Sequence, residues 1–138
     1  MSIKTYSPED VTITVGGSII TGYADGTFVK VARDDDAYKK VVGADGEISR
    51  TKSPNRGGYV ELTLKQDSDS NAILGGYAAL DEATGDGIVP VLVKDNLDYT
   101  AIGSKGWVRK LPDMERGKDL ANMVWTIDIA KFELQFPA

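Results

Sequence analysis

The side chains that most often carry chemistry near neutral pH are missing here: the 138 residues include no His and no Cys. That excludes a Ser-His-Asp relay, imidazole proton transfer, and zinc or haem ligation through His. It also excludes a thiolate nucleophile, a disulfide framework and iron–sulfur ligation. Carboxylates, Lys, Ser and Tyr remain, and four segments built from them invite a test. Asp67-Ser68-Asp69-Ser70-Asn71 opens like a calcium loop. That pattern needs Gly at its sixth position and Glu at its twelfth, where the chain has Ala72 and Ala78. The segment therefore reads as a cluster of helix N-caps. Ser49-Arg50-Thr51-Lys52 fits the Ser-x-x-Lys of acyl-serine enzymes, but without the companion motifs and away from any helix start. Asp34-Asp35-Asp36 offers hard oxygen donors; a solvated, self-repelling loop is the simpler reading. Gly85-Asp86-Gly87 lacks the third glycine and following helix of a phosphate cradle.

Pairs of carboxylates are numerous, but spacing along the chain does not place two of them about 5 or 9 Å apart across a cleft. Trp107 and Trp125 are candidate stacking platforms, yet both lie in alternating strands, which predicts core packing. No catalytic residue, metal ligand or cofactor is expected, and the chain is read as a non-enzyme.

Composition points the same way. Lys and Arg number 16 against 21 Asp and Glu, a formal net charge of −5. An acidic chain disfavours stable nucleic-acid or anionic-membrane binding, which needs clustered Lys and Arg. At 41 % hydrophobic and 27 % charged the sequence reads as a folded domain. Its length predicts a single domain over residues 1–138. No apolar run approaches the roughly 18 residues of a membrane helix, so no membrane insertion is expected. The N-terminal residues lack the apolar region of a secretory signal, which predicts a cytoplasmic chain.

The elements that must carry any function are short alternating strands separated by glycine-rich turns. Val11, Ile13 and Val15 alternate with Thr12 and Thr14 before the turn Gly16-Gly17. Asp25-Gly26 and Asp45-Gly46 carry the strongest short-range hairpin signal. Residues 27–33 read as a strand, and residues 38–57 as a polar hairpin with a loose return: an arm rather than a core element. In residues 59–65, Val60, Leu62 and Leu64 face one side while Glu61, Thr63 and Lys65 face the other.

One helix is predicted, over about residues 70–83, burying Ile73, Leu74, Tyr77 and Leu80. On that reading Leu80→Ala costs about 2–5 kcal/mol, and Gly75-Gly76 is tolerated because a sheet packs close against it. Residues 88–93 read as a buried strand, with Pro90 confining it to an edge or a bulge. Residues 99–102 and 107–111 read as a hairpin around Gly103-Ser104-Lys105-Gly106, and residues 112–119 as a charged loop. In the last strand, residues 122–136, the apolar parity flips between Ile129 and Phe132. That predicts a bulge at Ala130-Lys131, or a strand passing between sheets. The fold class is mainly β: a β-sandwich or partly closed barrel with one packed helix and an extended hairpin arm.

This arrangement resembles the tail tube proteins of contractile-tailed bacteriophages and, more distantly, the inner-tube subunits of type VI secretion systems. The residues that carry it are the N-terminal strand pair, the arm segment Tyr38 to Glu47, the strand Gly58-Tyr59-Val60-Glu61-Leu62-Thr63-Leu64, the helix entrance Asp69-Ser70-Asn71-Ala72-Ile73-Leu74, and Val124-Trp125-Thr126-Ile127. The resemblance implies a structural subunit in hexameric rings, stacked inside a contractile sheath as a conduit for DNA ejection. Strands from each subunit would continue into the neighbour's sheet and close a large barrel.

It further implies contacts with sheath, baseplate and tail-terminator proteins, and only transient, non-specific passage of DNA past an acidic or neutral wall. The protein would then sit in the virion tail after assembly in the host bacterial cytoplasm. The arm, residues 43–57, would order on the adjacent ring through Asp45, Glu47, Arg50, Lys52, Asn55 and Arg56. Its polar face, Glu47, Ser49 and Thr51, is the expected lumen lining. Deleting residues 43–57 is expected to leave the monomer folded and to abolish stacking. Two other classes compete: a baseplate or carbohydrate-binding module of similar fold, which needs exposed Tyr77, Tyr99 and Trp107, and a carboxylate-based glycosidase.

Overall fold

A computed structural model describes residues 3–137. Its elements follow the order β1 (Thr12–Val15), β2 (Ser18–Ile19), β3 (Val29–Arg33), β4 (Tyr38–Val42), β5 (Ile48–Lys52), β6 (Gly58–Lys65), α1 (Ser70–Thr84), β7 (Val89–Lys94), β8 (Thr100–Lys110), β9 (Asn122–Ile129) and β10 (Phe132–Gln135). Eight strands form one sheet in the order β2-β1-β7-β8-β9-β6-β3, with β10 also paired to β8. β4 and β5 pair only with each other. The sheet is not closed into a barrel; β2 and β3 end the order.

Period-two patterning works as read. Along β6 the even positions Gly58 to Leu64 are buried, and the odd ones are half-buried or exposed. The parity flip in the last strand has a symmetric cause. β8 and the β9–β10 run keep one constant register, from Gly106↔Ile129 to Gly103↔Phe132. Burial nevertheless changes parity on both strands together, from Gly106 to Gly103 on β8 and from Ile129 to Phe132 opposite. Ser104-Lys105 and Ala130-Lys131 face each other at the change, all four exposed. The Ala130 N–H donates to the Lys105 carbonyl there, at 3.0 Å. Both strands bend as a unit. The bend folds the sheet over on itself, so that Val60, Leu62 and Leu64 share one core with Ile13, Val15 and Val91.

The same bend corrects the reading of residues 99–111 as a hairpin: β8 is a single strand. Gly103 and Gly106 are close-packing residues. A Cβ at Gly103 would run into the Ile129 γ-methyl, and one at Gly106 would sit 2.8 Å from its δ-methyl. The hairpin signal at Asp25-Gly26 is also overridden, because β2 and β3 do not pair. β3 instead lies beside β6, with Val29 opposite Leu62. Pro90 lies in an interior strand at a register shift between Val89 and Val91, so of edge and bulge the bulge is what occurs.

The helix matches its predicted span to within one residue. Its buried row is Ser70, Leu74 and Ala78. Leu80 lies about 200° around the axis from Ala78 and is 45 % exposed, so its expected role in the core is overturned. Gly76 has open space around it, and a Cβ at Gly75 would meet Trp125 at an ordinary 3.9 Å; neither glycine is needed for a close approach. Ser68 caps the helix, its Oγ accepting the Ser70 N–H at 3.2 Å and donating to the Thr21 carbonyl at 2.6 Å. Trp125 is buried, and its Nε1–H donates to Asn71 Oδ1 at 2.9 Å. Trp107 is half-buried, with Asp128 opposite it, so the expectation that both tryptophans are core residues holds for Trp125 alone.

Candidate assembly interface

The arm is built by local chemistry. Asp45 Oδ1 accepts the Glu47 N–H at 3.0 Å, and the Gly43 N–H donates to the Glu47 carbonyl at 2.8 Å, closing the turn. Gly46 supplies the positive φ of 87° that the turn requires. The strands then pair from Val42↔Ile48 down to Tyr38↔Lys52. Every residue of both strands is exposed. Five residues of extended chain reach roughly 17 Å, so the hairpin stands well clear of the sheet.

Register divides the arm into two faces. Tyr38, Lys40 and Val42 lie across from Lys52, Arg50 and Ile48 on one of them. Lys39 and Val41 lie across from Thr51 and Ser49 on the other, in parity with Glu47. The Arg50 guanidinium sits 4.1 Å from the centroid of the Tyr38 ring. Among the described residues the ion pairs are Arg109–Asp128 and Lys110–Asp113, so no arm cation has an intrachain carboxylate partner.

Of the six residues expected on the arm, Asp45, Glu47, Arg50 and Lys52 lie on this free hairpin. Asn55 and Arg56 belong to its root. The Asn55 amide donates to Asp35 Oδ2 at 2.8 Å, and its Oδ1 accepts the Gly57 N–H at 2.9 Å. The Arg56 carbonyl accepts the Phe132 N–H at 2.8 Å, and the Gly57 carbonyl accepts from Asp34 at 3.1 Å. The root is therefore fastened to the body, and Asp35 of the acidic triplet is one of its fasteners.

A second surface is the open edge of β3. The Thr63 N–H donates to the Phe28 carbonyl, and Asp34 to Gly57. Residues 28, 30, 32 and 34 thus turn their backbone groups toward β6, while 29, 31 and 33 turn theirs outward. Val29 and Val31 also line a cleft of roughly 290 Å³ with Val93, Ala101 and Leu134, rimmed by Tyr99 and Phe136. Those two rings meet edge to face, 5.2 Å apart.

On the outer sheet face Arg109 Nε donates to both Asp128 oxygens, at 2.9 and 3.0 Å. That pairing holds the guanidinium above its ordinary pKa. Chain position gave no sign of it, because the partners are 19 residues apart on neighbouring strands. Burial raises the Tyr23 phenol, whose hydroxyl donates to the Ile20 carbonyl at 2.7 Å.

The aromatics that a binding module would need are dispersed. Tyr77 donates to the Gly16 carbonyl at 3.2 Å, Tyr99 packs on Phe136, and Trp107 lies beside Asp128. The calcium-like segment is occupied with structure. Besides the Ser68 cap, Ser70 Oγ accepts the Thr21 N–H at 2.9 Å and Asn71 donates to the Lys65 carbonyl at 3.0 Å. Among the described residues no three Asp or Glu side chains converge as a metal site would require. No helix among them is long and apolar enough to cross a membrane.

A projecting hairpin and the open edge of β3 are thus two surfaces with unsatisfied groups, both suited to protein assembly. Comparison with known proteins agrees. The chain is 26 % identical over 141 residues to structural protein ORF10 of Pseudomonas phage KPP10, covering 96 % of this chain and 82 % of that one. Two of the solved structures that share its fold at low identity come from one injection system. One is the sheath/tube terminator of the PVC extracellular contractile injection system (TM-score 0.66, 11 % identity, 98 % of this chain and 99 % of that one). The other is the sheath-tube complex of the same system (TM-score 0.62, 12 % identity, 96 % and 93 %). The tube-terminating cap of the anti-feeding prophage is similar too (TM-score 0.61, 9 % identity, 99 % and 95 %). The model of the bacteriophage PhiTE tail tube protein family matches residues 3–136, and the chain belongs to that family.

Proposed function

We propose that this tail tube protein is the repeating subunit of a contractile phage tail. Six copies close a ring, and rings stack within the sheath into the conduit through which DNA leaves the virion. The observation that carries this reading is the pairing of an unsatisfied sheet edge at β3 with a freestanding hairpin on the same chain. An open edge is a template for another strand, and ring closure is the arrangement that satisfies every copy alike. A hairpin with no intrachain packing gains its order from a neighbour, which suits contact between successive rings. The fold-level likeness to a sheath-tube complex supports sheath and terminator as partners.

In this reading Glu47, Ser49 and Thr51 line the lumen. They share one face of the arm, opposite the face of Arg50 and Lys52. Lys39 is the one cation on that face, beside Glu47 and two hydroxyls, so the wall offers DNA little counterion-releasing grip and the duplex slides. Nothing in this role requires a reactive side chain, and the subunit acts without catalysis. Assembly takes place in the host cytoplasm before the tail joins the virion.

A second reading is favoured by the likeness to two terminators: the chain could form the last ring of a tube instead of its shaft. Negative-stain electron microscopy across a concentration series separates the two. Rings about 80–100 Å wide, a scale set by six domains of this size around a channel, that elongate into tubes support the shaft. Rings that never stack support the terminator. A protein that stays monomeric and monodisperse at high concentration overturns both.

A further inference from the structure

Charge is segregated along this chain, and the fold uses little of it: Asp45 accepts the Glu47 N–H at 3.0 Å and Asp81 the Gly87 N–H at 3.2 Å. Residues 66–93, which contain α1, carry five carboxylates (Asp67, Asp69, Asp81, Glu82 and Asp86) and no Lys or Arg. Residues 38–56, the arm and its return, carry five cations against two carboxylates. Each excursion also places its charges unfavourably. On the arm, Lys40 lies directly across from Arg50 with Lys52 further along the same face, and like charges opposite one another weaken a strand pair. On α1, Asp81 and Glu82 lie in the last turn, which has no basic residue, so they stand at the negative end of the helix dipole. Asp86 follows just beyond the Gly85 cap.

Both patches carry exposed apolar side chains beside their charges. The arm's cationic face ends in Val42 and Ile48, 57 % and 64 % exposed. The helix end carries Ile88, 51 % exposed, two residues beyond Asp86. Two other acidic stretches lack this combination. Large apolar residues stand exposed near Asp113 and Glu115, but Lys110, Arg116 and Lys118 are interleaved there. Asp95 is engaged with the Leu97 and Tyr99 N–H groups and follows Lys94.

We propose that the Tyr38-Lys40-Val42/Ile48-Arg50-Lys52 face of one copy seats on the C-terminal end of α1 of a second copy. Lys40 and Arg50 would meet Glu82 and Asp86 while Val42 and Ile48 cover Ile88. This rests on the assembly reading above and adds to it which face of the arm is the contact, what receives it, and why. Two placements that each weaken the isolated subunit become favourable when a neighbour brings them together. The opposite arm face, with Glu47, Ser49 and Thr51, stays uncovered.

The test is a charge swap on the full chain, read as the protein concentration at which tubes appear by light scattering and negative-stain microscopy. Lys40→Glu with Arg50→Glu, and separately Glu82→Lys with Asp86→Lys, should each raise that concentration at least about tenfold. The combined fourfold variant should return it to within about twofold of the wild type. All four positions are exposed or at the chain surface, and circular dichroism with thermal melting checks that each variant folds. Lys40→Arg with Arg50→Lys should assemble normally.

Single-side variants that assemble like the wild type overturn the proposal, as does a fourfold variant that stays blocked. So do arm variants that assemble normally but lose affinity for a duplex DNA probe, which would make the cationic face a nucleic-acid contact. Excision of the arm separates this from the underlying reading. If excision blocks stacking while the charge variants do not, the arm is an assembly element with a different seat. If excision leaves tubes intact, the assembly role of the arm falls too.

Discussion

Gly103→Ala tests whether the bend in the sheet depends on close packing against Ile129. Gly103 and Gly106 both have ordinary backbone, so alanine is conformationally permitted at each. In a strand interior alanine is favoured over glycine by about 0.5–1 kcal/mol. Against that, the new methyl at position 103 collides with the γ-methyl of Ile129, a residue only 2 % exposed and unable to swing away. Overpacking of this kind costs about 1–3 kcal/mol, so Gly103→Ala should destabilise by about 1–2 kcal/mol. For a chain of this length that is a fall of about 3–7 °C in Tm.

The sign should reverse in an Ile129→Ala background. The nearest remaining neighbours of the added methyl are then the Lys131 carbonyl at 3.4 Å and the position-129 Cβ at 3.6 Å. Both are tolerable contacts, so Gly103→Ala becomes neutral or stabilising there. Ile129→Val gives a sharper control. It removes the δ-methyl that stands 2.8 Å from a Gly106 Cβ but keeps the γ-methyl facing Gly103. It should therefore ease Gly106→Ala and leave Gly103→Ala as costly as before. Urea unfolding at a concentration where the subunit is unassembled supplies the free energies. Additive effects of Gly103→Ala and Ile129→Ala, to within about 0.5 kcal/mol, would refute the packing account of the bend.

Leu74→Ala should cost about 2–5 kcal/mol, as a fully buried leucine, whereas Leu80→Ala should change stability by about 0.5 kcal/mol or less; chemical denaturation ranks them. Excising residues 40–50 behind a short glycine linker should leave the melting temperature of the monomer within a few degrees, because β4 and β5 pair only with each other. Cutting residues 43–57 as well should destabilise it, since Arg56 and Gly57 accept hydrogen bonds from Phe132 and Asp34. Burial raises the Tyr23 pKa, so above about pH 10 the unfolded chain releases this proton more readily than the native one and stability falls with rising pH. Tyr23→Phe should flatten part of that alkaline loss, measured as Tm against pH.

What could be read from the chain was whatever local physics decides. Alternation placed β6 with the correct face inward. The Ala-Asp-Gly turn at residues 44–46 announced the arm, and the flip between Ile129 and Phe132 located an irregularity, which is a bend in constant register and not the expected bulge. The errors share one cause, which is that a glycine or a leucine carries two meanings that neighbours in sequence do not distinguish. Gly103-Ser104-Lys105-Gly106 has the composition of a turn, yet its glycines make room for Ile129. Leu80 continues a helical spacing from Tyr77, yet Tyr77 is itself at the rim of the buried row, and one further step leads to solvent.

The arm itself divides along the same line. Sequence alone indicated a polar hairpin over residues 38–57, because pairing there depends on turn chemistry and period two. Only the tertiary structure decided that Asn55, Arg56 and Gly57 belong to the body, through bonds to Asp35, Phe132 and Asp34. It alone left Lys40, Arg50 and Lys52 without a carboxylate partner among the described residues. Sequence likewise fixed the absence of His and Cys chemistry outright. Which surfaces stay unsatisfied depends on which strands become neighbours, and that was settled by the pairing of β3 with β6 and the folding of the sheet about its bend.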